Sequence, residues 1–336
     1  MASAIVVLSA CVARSPAAPA RSVERARVAM GSELRVTAWT ADEAGALSAF
    51  DAVFNEFDRL ESLMSTWRPG SDVERLNAAA GEQPVRVSSD VVSVLEAARQ
   101  ASEWTGGKFD VTFGALSGLW KFDHDRDDTI PDMREVRARL PLIDYRALKI
   151  DPEGGTAFLE RRGMGVNLGG IGKGYALDRG IAILRARGFN DFLIRAGGDM
   201  YAAGHRGGQP WRVGIQDPRG PGGRAFARLA VSDSTVSTSG DYERAFVKDG
   251  VRYHHIIDQT TGEPARGCRS TTVLTRQAVL ADALSKSVFL LGVERGMALF
   301  ERLHVEAVVV TTKNEVLVTP GLRGRVEMVS APTDAP

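Results

Sequence analysis

Four short segments of the 336-residue chain carry residue types and spacings that can do chemistry. The first is Asn167-Leu168-Gly169-Gly170-Ile171-Gly172-Lys173-Gly174, where clustered glycines run straight into a helical pattern. Such a loop lets backbone N–H groups close on an anion, and the helix N-terminus adds a favourable dipole. Lys173 adds a full positive charge, so the segment suits a pyrophosphate. It lacks the Gly-Lys-Ser/Thr of a P-loop and the usual setting of a dinucleotide fingerprint. A tight strand-to-helix turn accounts for the glycines equally well.

The second segment is His254-His255, placed at the start of an apolar strand running to Ile257. Neighbours on a strand point to opposite faces, so at most one of the two faces a given pocket. A neutral histidine is the usual general base for a hydroxyl proton. A structural pair is the competing reading, and a half-site for a metal with Asp258 is another, although no third ligand stands out. The third segment, Ala196-Gly197-Gly198-Asp199, follows a buried strand. Asp199 there accepts from a ligand or merely closes a turn. The fourth is Asp282 and Lys286, four residues apart on one helical face. An exposed pair of this kind is worth a few tenths of a kcal/mol. The flanking residues are small or apolar, however, and a charge pair on a buried face is expected to serve something specific.

These residues need elements to position them. Leu47, Phe50, Phe54, Phe57, Leu60 and Met64 recur at spacings of three and four, which predicts an amphipathic helix from Ala41 to Met64, with Thr40 or Asp42 as cap. A second helix is expected from Ser89 to Thr105, ended by Gly106-Gly107, and others over Tyr175 to Arg187, Ala278 to Leu291 and Val293 to Leu303. Arg27 to Ala38 reads as a strand broken at Met30-Gly31. Further strands are expected at Phe192 to Ala196, Trp211 to Ile215, Phe226 to Val231, Val236 to Ser239, Arg244 to Val247, His254 to Ile257, Ala307 to Thr312 and Val316 to Val318. Helices and strands mix without regular alternation, which places the fold in the α+β (mixed α/β) class rather than the doubly wound one.

Taken in order, the motifs resemble those of the ApbE family, the FAD:protein FMN transferases, also named for thiamine-biosynthesis lipoproteins. The resemblance runs from Met30-Gly31 through Ser65-Thr66-Trp67, Phe109-Asp110-Val111-Thr112 with Leu119-Trp120, and the glycine loop. It continues through Ala196 to Asp199, Trp211, Asp217-Pro218, Ser237 to Arg244, Tyr253 to Asp258 with Thr261-Gly262, and Ala281-Asp282-Ala283-Leu284-Ser285. It implies two lobes around a central FAD cleft. It also implies a reaction that cleaves FAD, leaves FMN in phosphoester linkage on a Thr or Ser of an acceptor flavoprotein, and releases AMP. Acceptors of the family carry a motif like Asp-x-x-Ser-Gly-Ala-Thr. Met30, Trp67, Lys108, Phe109, Asp110, Asn167, Lys173 and Ile256, with Asp199, are then expected along the FAD site, and His255 as the base that takes the acceptor's proton.

The family's magnesium is implied at the carbonyl of Gly170, at Asp282 and at a threonine one turn later, which is Lys286 here. Lysine offers no acceptor to a metal. Three outcomes stay open: the ammonium stands where the metal would sit, a magnesium binds nearby through other ligands, or the protein binds FAD without transferring FMN. Hydrolysis of FAD to FMN and AMP is a further alternative. Asn167 and Ala115 are smaller departures, where the family has Asp and Pro.

Composition narrows the class. The 42 basic and 42 acidic residues cancel, so nothing favours a nucleic-acid partner. Only Cys11 and Cys268 are present; with Cys11 lipidated, Cys268 is alone and no internal disulfide is expected, and two cysteines are too few for a cysteine-based zinc site. Leu8-Ser9-Ala10-Cys11 after a short apolar run has the form of a lipobox, although no basic residue precedes it. Residues 1–25 are therefore expected to be a signal and tether, 26–330 a single domain, and 331–336 a disordered tail. The expected location is the periplasmic side of the inner membrane, held only by a lipid at Cys11.

Overall fold

The computed structural model describes residues 19–122 and 125–335. The lipobox and most of the expected tether lie outside the described residues. Among those described, no helix is long and apolar enough to cross a membrane.

An antiparallel eight-stranded sheet organises the chain. Its strands, in spatial order, are Arg21–Ala29, Ser32–Thr40, Phe192–Ala196, Asp199–Ala203, Ser234–Gly240, Ser270–Thr275, Glu306–Val310 and Val316–Val318. The period-two alternation of each strand decides what covers each face. Leu34, Val36, Phe192, Ile194, Val273 and Val309 turn one way, into a core shared with the helices Glu43–Met64, Ser89–Trp104 and Gly172–Ala186. Leu193, Met200, Val236, Leu274 and Val308 turn the other way and meet a four-stranded sheet through Trp211, Phe226 and Leu229. A third, smaller core joins Leu116, Phe122 and Val136 to Phe246 and Ile257. The expected α+β (mixed α/β) class is the class observed.

The long first helix runs Glu43–Met64, capped by Asp42 on the N–H of Gly45, and buries Phe50, Phe54, Phe57, Leu60 and Met64. Several sequence expectations need correction. Arg27 to Ala38 is not one interrupted strand but parts of two, paired from Arg21↔Thr40 to Ala29↔Ser32 around Met30-Gly31. Both turn residues have positive φ, 49° and 69°, as the tight hairpin turn that matches strand twist requires. The first strand thus begins at Arg21, inside the segment expected as tether. The expected helix from Ala278 to Leu291 is two, Ala278–Leu284 and Ser287–Leu291, separated at Ser285-Lys286. Val251–His254 ends at His254, so His255 and Ile256 lie between short strands rather than within one. The residues after Ser330 are held rather than loose: Thr333 donates to the carboxylate of Asp217, and Arg269 reaches the Thr333 carbonyl and Asp334.

Candidate functional site

The glycine loop leaves the core at Val166 and turns through Asn167. The Asn167 side chain accepts the N–H of Gly169 at 2.8 Å, while its own N–H is bonded to Val111. The helix Gly172–Ala186 begins immediately and packs on the Ala278–Leu284 helix. Gly174 sits at the crossing, where an added Cβ would lie 2.3 Å from the Ala278 carbonyl oxygen. Two further contacts lock this pair of helices. The Asp178 carboxylate accepts the N–H groups of Ala278 and Val279 at 2.8 and 2.9 Å. The N–H of Gly174 donates to Asp282 Oδ2 at 3.0 Å.

Two adjoining cavities open on the loop. One encloses about 1080 Å3 between the main core and the small third core, part of it open to solvent. Phe109, Asp110, Asn167, Gly170, His255, Ile256 and Lys286 stand in its wall. The other is lined by Met30, Glu61, Leu168 and Lys173. Trp67, Phe122, Asn167, Gly169 and Arg244 border both, so the two form one cleft. Trp67 is 53% exposed at its rim. Trp120, Phe122, Phe246 and Tyr253 form a chain of stacked rings beside it, with centroids 5.2 to 5.9 Å apart.

Two residues expected along the cleft, Lys108 and Asp199, and one expected as a metal ligand, Asp282, do not line it. Lys108 turns to Asp258 Oδ1 at 2.9 Å and Thr260 Oγ1 at 2.6 Å. Asp199 is buried behind Lys173, 3.3 Å from its ammonium, and accepts the Ser237 hydroxyl. Asp282 is 1% exposed and lies beneath the loop rather than in the cavity wall. Asp110 does line the cleft, but its carboxylate points into its own turn, taking N–H and hydroxyl of Thr112 and the N–H of Tyr145. Burial raises its pKa against these donors. Arg244, which borders both cavities, appeared in the sequence only as the end of the Ser237 to Arg244 run and was given no role; a charged residue in a polar run carries no periodic signal.

The two histidines separate clearly. His254 is buried, with Nε2 2.7 Å from the Ala265 carbonyl and Nδ1 accepting the N–H of Ile256 at 3.3 Å. That pattern fixes its neutral Nε2–H tautomer as a structural group. His255 stands in the cleft wall, and its Nδ1 is buried without a hydrogen-bond partner. Burial holds its pKa well below the usual range, helped by the nearby positive charges of Arg244, Lys286 and Lys173. It is therefore a neutral base at physiological pH.

Beneath the loop lie two acid–base pairs, Lys173–Asp199 and Lys286–Asp282. Burial works against the charge on Lys173, but Asp282 and Asp199 outweigh it and raise its pKa. Burial also opposes ionisation of Asp282, yet Lys286 and Lys173 keep that carboxyl below its ordinary value. Burial and the charge of Asp282 push Asp199 up. Lys286 Nζ donates to the Asp282 carbonyl at 2.6 Å and to Oδ1 at 2.7 Å, with Ser285 Oγ at 3.4 Å. A magnesium bound at Asp282 and the Gly170 carbonyl does not fit these residues. The ammonium already occupies Oδ1, and its stem would lie 3.4 Å from a Cβ placed on Gly170. A divalent ion beside it would face strong like-charge repulsion.

Comparison with known proteins agrees with this architecture. Residues 30–309 match the model of the ApbE family. The chain is 34% identical to the FAD:protein FMN transferase of Treponema pallidum, over 93% of this chain and 90% of that one. It is 33% identical to a protein of the same name from Klebsiella pneumoniae, over 89% and 92%. The crystal structure of the ApbE protein of Thermotoga maritima superimposes with a TM-score of 0.84 at 30% identity, covering 91% of this chain and 99% of that one. The flavin transferase ApbE of Vibrio cholerae gives 0.81 at 28% identity, covering 91% and 100%. Sequence and fold, from the Met30-Gly31 hairpin to the closing strands, thus make this chain a member of the ApbE family.

Proposed function

We propose that the protein is an FAD:protein FMN transferase that takes FAD into the cleft and passes FMN to a Ser or Thr of an acceptor flavoprotein. The observation that carries this reading is His255 itself, an imidazole kept neutral by burial and neighbouring positive charge, in the wall of the cleft that also holds the glycine loop. The acceptor hydroxyl oxygen attacks the FMN-side phosphorus. Its proton passes to His255, the bond from that phosphorus to the bridging oxygen breaks, and AMP leaves with that oxygen. Little covalent chemistry falls to the protein, so positioning and charge stabilisation carry the rate. The Lys173 ammonium and the positive dipole end of the Gly172–Ala186 helix supply that stabilisation to the phosphate oxygens. Lys173 is held in place by Asp199 behind it, and Trp67 and Phe109 stand in the wall as apolar surface for a flat ligand.

The reading includes an exported enzyme. The sequence Leu8-Ser9-Ala10-Cys11 supports a lipid anchor on Cys11, which would hold the enzyme on the periplasmic side of the inner membrane, near acceptors in membrane redox complexes. Incubating the protein with FAD and an acceptor that carries the Ser/Thr motif, then reading flavin fluorescence in a denaturing gel, tests the activity. A fluorescent acceptor band supports transfer; free FMN and AMP with a dark acceptor identify a pyrophosphatase instead.

A further inference from the structure

We infer that the Lys286 ammonium does the work of a resident cation in this cleft, so that the pyrophosphate of FAD is bound without a divalent metal. The inference rests on the proposed use of FAD and concerns how this chain holds it. Three observations carry it. The ammonium has two firm oxygen acceptors, both from Asp282, with Ser285 Oγ a longer third neighbour. An ammonium has three donors, and the third makes only the long 3.4 Å contact that a ligand oxygen can replace; Lys286 stands in the cavity wall together with Gly170 and His255.

The second observation is the state of Asp282. The N–H of Gly174 holds its Oδ2 and Lys286 holds its Oδ1. Among the described residues no group of three His, Cys, Asp or Glu side chains is arranged to hold a metal ion.

The third observation is charge. Lys173–Asp199 and Lys286–Asp282 balance within the buried layer, so the layer needs no added cation to be neutral. Loss of the Lys286 charge would leave two buried carboxylates against Lys173, with Arg244 at the cleft border, beside an incoming dianion, which favours recruitment of a metal.

Titration of FAD into the full chain, followed by flavin fluorescence in EDTA and then in Mg2+, tests the inference. The unaltered protein is expected to give dissociation constants that agree within about twofold in the two buffers. Lys286→Met is expected to weaken FAD in EDTA by about tenfold, the weight of a charge-assisted hydrogen bond, and to leave riboflavin affinity unchanged. Manganese resonance spectra of the FAD-loaded protein are expected to show only free ion. Loss of FAD affinity in EDTA by the unaltered protein overturns this inference alone, as does one manganese held per FAD-loaded chain. Absence of FAD binding in both buffers overturns the transferase reading and this inference with it. Neither measurement on the unaltered protein depends on a variant folding.

Discussion

Lys286 and Asp282 form a closed pair in which one ammonium bonds both the carboxylate and the backbone carbonyl of the same residue, at 2.7 and 2.6 Å. The pair sits where the Ala278–Leu284 helix ends, and Gly174 of the neighbouring helix takes the other carboxylate oxygen. The geometry of the glycine loop is thereby tied to a charge pair more than a hundred residues later, at a sequence separation of 108.

His255→Ala should reduce FMN transfer by about 10²- to 10⁴-fold, the usual weight of a general base. FAD affinity should change little, because the imidazole is one face of a wide cleft. Single-turnover transfer and FAD titration on the same preparation separate the two effects. Transfer at the original rate would remove His255 from the mechanism.

The pH profile follows from the same residue. His255 works as a base when neutral, and burial with the neighbouring positive charges lowers its pKa. The rate should stay level down through the ordinary histidine value of about 6.5 and fall only in more acid solution. Arg244→Gln removes one of those charges, so the fall should move to higher pH. An unchanged profile in that variant would deny Arg244 its influence on the base.

Gly174→Ala should damage the site from beneath. The new Cβ would meet the Ala278 carbonyl at 2.3 Å and the Asp282 Cβ at 2.8 Å, both on the facing helix. Overpacking of this kind costs about 1–3 kcal/mol. Thermal or urea unfolding should register that loss, and FAD affinity should fall with it. Unaltered stability would show that the two helices separate freely.

Asp178 offers a cleaner test of helix placement. Its carboxylate caps the Ala278–Leu284 helix in trans through two N–H groups. Asp178→Ala should cost about 0.5–2 kcal/mol, as removal of an N-cap does, with urea denaturation as the readout. A stability loss below that range would mean that packing alone fixes this helix.

Much of this was legible in the sequence, for identifiable reasons. The Glu43–Met64 helix is apolar on one face only, so Phe50, Phe54 and Phe57 mark it by spacing. The glycine loop is visible because its glycines run directly into a helix. The central strand Ser270–Thr275 escaped notice because it is buried on both faces, which erases the polar–apolar alternation. The break at Ser285-Lys286 was hidden by an apolar pattern that continues smoothly through Phe289 and Leu290. Spacing could separate the two histidines only by opposite faces. It could not show that the Ala265 carbonyl would claim His254 and leave His255 to the cleft. Spacing could not show that Lys108 pairs with Asp258, which lies 150 residues away and is brought to it only by the fold.

The most direct test of the account counts products. The protein is incubated with FAD and acceptor, and AMP is quantified beside the intact mass of the acceptor. One AMP is expected for each FMN bound in phosphoester linkage to an acceptor Ser or Thr, with no turnover when acceptor is withheld. AMP and free FMN accumulating without an acceptor adduct would contradict it.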